Sequence, residues 1–311
     1  MTKVLSLPAS ATTNFRQLDD GQGGWLQTAK RQLKFNLRHW MCRRHLARIR
    51  HYVDARGLSG VMTRHDMQLM FRPMRSYLWR SLNAQMRTDA MLSHFDWLTA
   101  HVSASVIQDF YDQGIIELYT QECPEGVISI DLLPGRSLGR EGEMELHLKL
   151  NKVTVMKAAL SVLAHTHLQG GHSGDMLVIG NIQGQRQAQQ EIKWVTQRLE
   201  RTRPHNILLT AFQALVSGWQ LTDLLGVADH EHAYAGYRSL SRRVGQNYDA
   251  IWKELGATQL VGKSHWRLPM EWVPRSEQEV PSSKRSQLRR KNEIRQKIFD
   301  QVAVRAASLL K

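Results

Sequence analysis

From Trp25 onward, apolar positions recur every three to four residues: Trp25, Ala29, Leu33, Leu37, Trp40 and Met41. That spacing predicts an amphipathic helix within 25–57. The remaining positions carry Lys30, Arg31, Lys34, Arg38, Arg43, Arg44, Arg48 and Arg50. A basic amphipathic helix suits a membrane surface, but packing of the apolar stripe against the chain's own domain is the favoured expectation. Residues 59–111 predict two or three more helices, with breaks near Gly57 to Gly60 and at Pro73, and a stripe of Trp79, Leu82 and Met86.

At Gly114 the period changes from helical to alternating. Ile115 to Thr120 and Val127 to Leu133 predict a hairpin across Pro124, Glu125 and Gly126. A loop over Pro134 to Gly142 precedes a half-buried strand, with Met144, Leu146, Leu148 and Leu150 on one face. Val153 to His167 reads as strand in its second part, Leu160 to Thr166. Further strands are expected at Asp175 to Ile182, Leu221 to Ala228 and His265 to Leu268. Helices are expected at Ala188 to Leu199, from Asn206 to Gly218, over Arg238 to Leu255, and at Ser282 to Leu310. The order is α+β with at least one crossover unit. A helical, basic N-terminal region leads into a mixed, mostly antiparallel sheet with flanking helices, and a long basic helix ends the chain. The organisation reads as a disordered lead-in at 1–24, a helical basic region at 25–112, an α/β core at 113–281 and the basic helix at 282–311.

Composition narrows the class. The chain has 311 residues, 42% of them hydrophobic, enough for a sizeable core without disulfides or metals. Its two cysteines exclude a bridge-stapled scaffold. The net charge of +14 is uneven: residues 1–90 carry +11, 91–283 carry −4 and 284–311 carry +7. Basic ends around a slightly acidic centre point to an anionic membrane surface or an acidic partner. Nucleic acid is disfavoured, since no helix-turn-helix or basic–aromatic platform is legible. The opening MTKVLSLPASATTNF lacks a secretory apolar run, so the expected location is cytoplasmic, with peripheral contact at the inner membrane as the alternative.

Several stretches carry candidate chemistry. Gly180-Asn181-Ile182-Gln183-Gly184-Gln185-Arg186 links a strand to a helix, where exposed N–H groups and the helix dipole favour phosphate. An ordinary turn is the simpler reading. Arg201 and Arg203, before Pro204, could clamp an anion. His165 and His167 would share a strand face with His172 nearby, but without a Cys cluster or HExxH no metal is assigned. His232 or Asp229, at the end of a strand, is best placed to act as a general base. Tyr248, Ile251, Trp252 and Leu255 read as core packing, and Ser282 to Lys291 is the most cationic decapeptide.

Taken in order, these segments carry a resemblance. Ile179-Gly180-Asn181-Ile182-Gln183-Gly184, Arg203-Pro204-His205-Asn206-Ile207-Leu208-Leu209, Val227-Ala228-Asp229 with His232, Tyr248-Asp249 with Trp252 and Glu254-Leu255-Gly256, and Lys284-Arg285 are similar to the VirK/YbjX family of Gram-negative bacteria. That resemblance implies a setting in virulence, envelope integrity and resistance to cationic antimicrobial peptides, without a reaction. The strand–Gly loop–helix–strand–helix order also resembles GNAT-type N-acyltransferases, whose loop after the fourth strand holds the pyrophosphate of an acyl-CoA-like donor. The resemblance places that role on Gln183, Gly184, Gln185 and Arg186. Arg186 stands where that family usually has a second glycine. The leading expectation is an acyltransferase-like protein acting on an envelope-related acceptor. Gln183, Gly184, Gln185, Arg186 and Arg203 would hold an acyl-CoA or acyl-carrier donor, and Asp229 or His232 would act as base. The alternative is a non-enzymatic basic adaptor. An open gap between the strands at 176–182 and 221–228 would suit the enzyme, and a filled one the adaptor.

Overall fold

The computed structural model describes residues 24–58, 69–167, 174–235, 247–259 and 264–311. The expected lead-in before Gly24, His172, the break at Ser59 and Gly60, and residues 238–246 of an expected helix lie outside the described residues.

Two helices replace the single one expected at 25–57. α1 (Trp25–Met41) and α2 (Arg43–Ala55) are separated by Cys42, a buried residue whose thiol lies 3.8 Å from the carbonyl oxygen of Pro73. α2 buries Leu46, Ile49 and Val53. A 3-10 turn over Leu69–Met74 follows, then α3 (Ala84–His101) and α4 (Ala104–Gln113). Asn83 and Ser103 accept backbone N–H bonds from the first turns of α3 and α4, which satisfies donors a helix start leaves open. Trp79 and Leu82 precede α3 and are buried in the core, so they do not form the helical stripe expected with Met86.

The sheet holds β1 (Ile116–Cys123), β2 (Gly126–Pro134), β3 (Met144–Leu150), β4 (Val153–Ala164), β5 (Asp175–Gly184), β6 (Asp223–Val227), β7 (Thr258–Gln259) and β8 (His265–Arg267). Its order is β1-β2-β3-β4-β5-β6-β8-β7. All neighbours are antiparallel except β5 and β6, so the fold is the expected mixed, mostly antiparallel α+β type. α5 (Gln189–Arg198) and α6 (Pro204–Gly218) make the crossover between the parallel strands. β4 is strand along its whole length, not only its second part, because β3 and β5 pair it on both sides. The two histidines expected on its end, His165 and His167, fall instead in a 3-10 turn.

α7 (Tyr248–Glu254) follows β6, and α8 (Ser282–Ala307) ends the fold. α8 lies close on α6: a Cβ on Gly218 would meet the carbonyl oxygen of Ala303 at 2.6 Å. One apolar cluster runs from Phe35 in α1 to Ala306 in α8, so residues of the stretches 25–112, 113–281 and 282–311 share a core. No helix among the described residues is long and apolar enough to cross a membrane.

Candidate functional site

The parallel pair positions the site. β5 and β6 pair from Met176 with Asp223 to Ile179 with Gly226, and then part. β5 continues to Gly184 against β4 alone. At the parting point its register with β4 shifts: Leu160 faces Ile179 and Ala159 faces Asn181, leaving Gly180 as the extra residue of a bulge. A bulge re-aims the side chains beside it. Gly180 is required there, because a Cβ would lie 1.9 Å from the carbonyl oxygen of Glu141. On the β6 side, Gly226 admits the Trp252 ring, whose Nε1 donates to the Val227 carbonyl at 2.9 Å.

Four buried polar side chains meet beside the bulge: Glu141, Asn181, His232 and Tyr248. The Asn181 amide donates to Glu141 Oε1 at 2.8 Å and to the Tyr248 hydroxyl oxygen at 2.9 Å. His232 Nε2 lies 3.0 Å from the same Glu141 oxygen, but with an angle outside hydrogen-bond geometry. The His232 ring stacks on Tyr248, centroids 4.9 Å apart and planes 12° apart. His232 Nδ1 accepts a long 3.4 Å bond from the Tyr234 N–H, which places the neutral ring's proton on Nε2, toward Glu141. Burial, then the Glu141 and Asp229 carboxylates, hold the Tyr248 phenol well above its usual range, so it keeps its proton at neutral pH. Among the described residues Asn181 Oδ1 has no hydrogen-bond partner although it is buried.

The segment before α3 walls this cluster. Leu78 N–H donates to the Arg140 carbonyl, Arg80 N–H to the Glu231 carbonyl and Ser81 N–H to a Glu231 carboxylate oxygen. Trp79 bridges to His232. The parting point of the strands is therefore closed off from solvent. All four members of the cluster are at most 3% exposed.

The sequence-derived candidates are only partly brought together. His232 is in the cluster. The Asp229 carboxylate is committed to the start of α7, accepting from Tyr248 N–H at 2.8 Å and Asp249 N–H at 3.3 Å. Asp249 returns the contact, accepting from Asp229 N–H at 2.9 Å and from Trp266 Nε1 at 2.8 Å. Gln183 and Gly184 belong to β5, paired with Lys157 and Met156, rather than to a loop. Gln185 N–H is used by the Val155 carbonyl at 3.0 Å. Gln185 and Arg186 are exposed and lead into α5, whose first turn has no side-chain cap but contains Glu191. Arg203 pairs with Glu254 at the far end of α7 from Tyr248, so it is not gathered with Gln183 to Arg186. Among the described residues no three His, Cys, Asp or Glu side chains gather as a metal site requires.

Sequence reading missed Glu141 and Tyr248 as site residues. Glu141 is one acid in a Gly/Arg-rich loop, and Tyr248 looks like core on its helical spacing. The available signal was steric: Gly142, whose Cβ would lie 2.5 Å from Leu160 N, and Gly180 mark two backbones in close approach.

Comparison with known proteins gives the family. Residues 24–304 match the model of "Protein of unknown function (DUF535)". The chain is 23% identical over 252 residues to "Uncharacterized protein YbjX" of Escherichia coli (strain K12), covering 79% of this chain and 74% of that protein. It is 30% identical over 135 residues to an "Uncharacterized protein" of Haemophilus influenzae, covering 42% of this chain and 43% of that one. No solved structure matches. With nearly its whole length matched, the chain belongs to the DUF535 family, the VirK/YbjX group that its ordered motifs resemble.

Proposed function

We propose that the core is an acyltransferase-type domain that takes its acyl group from a coenzyme A-like or carrier-bound thioester. One observation carries this reading: the parallel strands part at the Gly180 bulge, and ionisable and hydrogen-bonding groups converge at the parting point. Ligands of open sheets with crossover helices settle outside the C-terminal ends of strands where the topology switches. The donor phosphates would meet Gln185, Arg186 and the uncapped first turn of α5, with the acyl arm running along β5 to Asn181. In the transfer step an acceptor amine attacks the thioester carbonyl and the C–S bond breaks. The amine's proton passes to His232 Nδ1, which gives up its long bond from the Tyr234 N–H while Glu141 offsets the ring's charge, and then to the leaving thiolate, to which the Tyr248 hydroxyl donates a hydrogen bond. Asp229, which organises α7, positions Tyr248.

A second reading, a non-enzymatic adaptor, is favoured by the burial of the cluster, because the thioester arm must displace the Asn181–Tyr248 contact to enter. Calorimetric titration with acetyl- and long-chain acyl-CoA decides between them. The transferase reading expects saturable binding that Gly184→Trp abolishes. No heat with either ligand, or binding indifferent to Gly184→Trp, overturns it.

A further inference from the structure

α1 turns its apolar stripe away from the protein. It docks through Phe35, which is buried and meets the Phe71 ring edge-on at 5.7 Å. At 100° per residue, Leu26, Leu33, Leu37, Trp40 and Met41 of the stripe fall about 120–180° around the helix from Phe35, and Trp25 about 80°. These side chains are 55–78% exposed, so the expectation that the stripe packs on its own domain is overturned. The geometry has a simple cause: Leu46, Ile49 and Val53 of α2 bury into the core. α2 is further fixed to α3 by Arg48 with Asp89, by Tyr52 with Asp96 at 2.8 Å and by Arg56 with Asp96 at 2.9 Å. α1 continues from that anchored helix, and Phe35 is its one buried side chain among the described residues.

We infer that α1 is an interfacial anchor that lies in an anionic lipid surface. Isolated apolar residues on a surface need no explanation, but a contiguous row of this kind marks an interaction site. Lys30, Lys34 and Arg38 follow at four-residue steps along one flank of the row, and residues 25–53 contain no Asp or Glu. Tryptophans close both ends of the helix, the residue type that settles at the headgroup level. Lipid supplies both halves of the required chemistry, acyl chains for the row and anionic headgroups for the cations. A second copy would bring two acid-free helices face to face, which like charge opposes. A nucleic acid would pair with the cations and leave the apolar row in water. This inference does not depend on the transferase reading.

The test is cosedimentation of the full chain with phosphatidylcholine vesicles, with and without phosphatidylglycerol, at low and high salt. Binding should require phosphatidylglycerol and weaken with salt. Each lysine near such a surface contributes about 1 kcal/mol, roughly fivefold, so Lys30→Glu/Lys34→Glu should bind at least about 30-fold more weakly. Trp25→Ser/Leu33→Ser/Trp40→Ser should bind no better than background. Both variants should keep the parent's urea midpoint, since the altered side chains lie outside the core. Binding that ignores phosphatidylglycerol content, or that survives both variants, overturns the inference. So does a dimer in sedimentation velocity that the serine variant dissolves, or salt-sensitive DNA binding in place of lipid binding.

Discussion

Replacing Gly180 by alanine tests the bulge on which the site is built. The new Cβ would lie 1.9 Å from the Glu141 carbonyl oxygen and 2.8 Å from its carbon. That neighbour is backbone, and it cannot step aside. Its loop is fastened by Gly135 N–H to the Glu143 carbonyl at 2.8 Å, Glu143 N–H to the Leu160 carbonyl at 3.1 Å and Leu78 N–H to the Arg140 carbonyl at 2.8 Å. Forcing a methyl into a packed interior costs about 1–3 kcal/mol. Moving the loop also breaks the 2.8 Å bond from Asn181 to Glu141, worth roughly 1.5–3 kcal/mol for a charged acceptor. The expected loss is about 2.5–6 kcal/mol, a large part of the roughly 5–15 kcal/mol that holds a domain folded. Gly184→Ala is the control: its nearest neighbour is the Met156 methyl at 3.9 Å, so it should change stability by less than about 0.5 kcal/mol. Urea unfolding of both variants, with slopes compared, measures the difference. A Gly180→Ala protein as stable as the parent, or a Gly184→Ala protein equally weakened, would refute the close approach of β5 and the Glu141 loop.

Asp229→Ala should lower stability by about 0.5–2 kcal/mol through the lost acceptor at the start of α7, read in a thermal melt. An unchanged melt would return Asp229 to the role of free base. Trp252→Phe leaves the buried Val227 carbonyl without its 2.9 Å donor and should cost about 1–3 kcal/mol in urea unfolding. A loss below about 0.5 kcal/mol would contradict that bond. Burial pushes His94 down to about 3 and His265 down to about 4 from 6.5. Below about pH 6.5 the unfolded chain takes up protons that the folded chain refuses. Stability from these residues is thus fully present above that pH and lost as pH falls toward 4 and 3. The combined slope approaches about 2.7 kcal/mol per pH unit, and urea midpoints that stay constant from about pH 7 to about pH 5 would contradict it.

Local periodicity carried the fold a long way. The alternation Met144, Leu146, Leu148, Leu150 is the core face of β3, and the turn at Glu125 joins β1 and β2. Long-range facts were harder to read. The helical spacing of α1 put Leu33, Leu37, Trp40 and Met41 on one face and missed Leu26, but periodicity cannot say whether a stripe faces a core or solvent; the exposure of that face and the burial of Phe35 show that. Gln183 and Gly184 look like loop because glycine interrupts the apolar run, yet pairing with β4 extends the strand through them. The cluster joins residues 40 and 67 positions apart, Glu141 with Asn181 and Asn181 with Tyr248. Nothing local marks such partners.

Hydrogen–deuterium exchange of the full chain, with and without coenzyme A, addresses the transferase core most directly. The account predicts slowed exchange at Gly180 to Glu191 and at the start of α7, with the rest of the sheet unchanged. Unaltered exchange at both segments under saturating coenzyme A, or protection confined to α1 or α8, would contradict it.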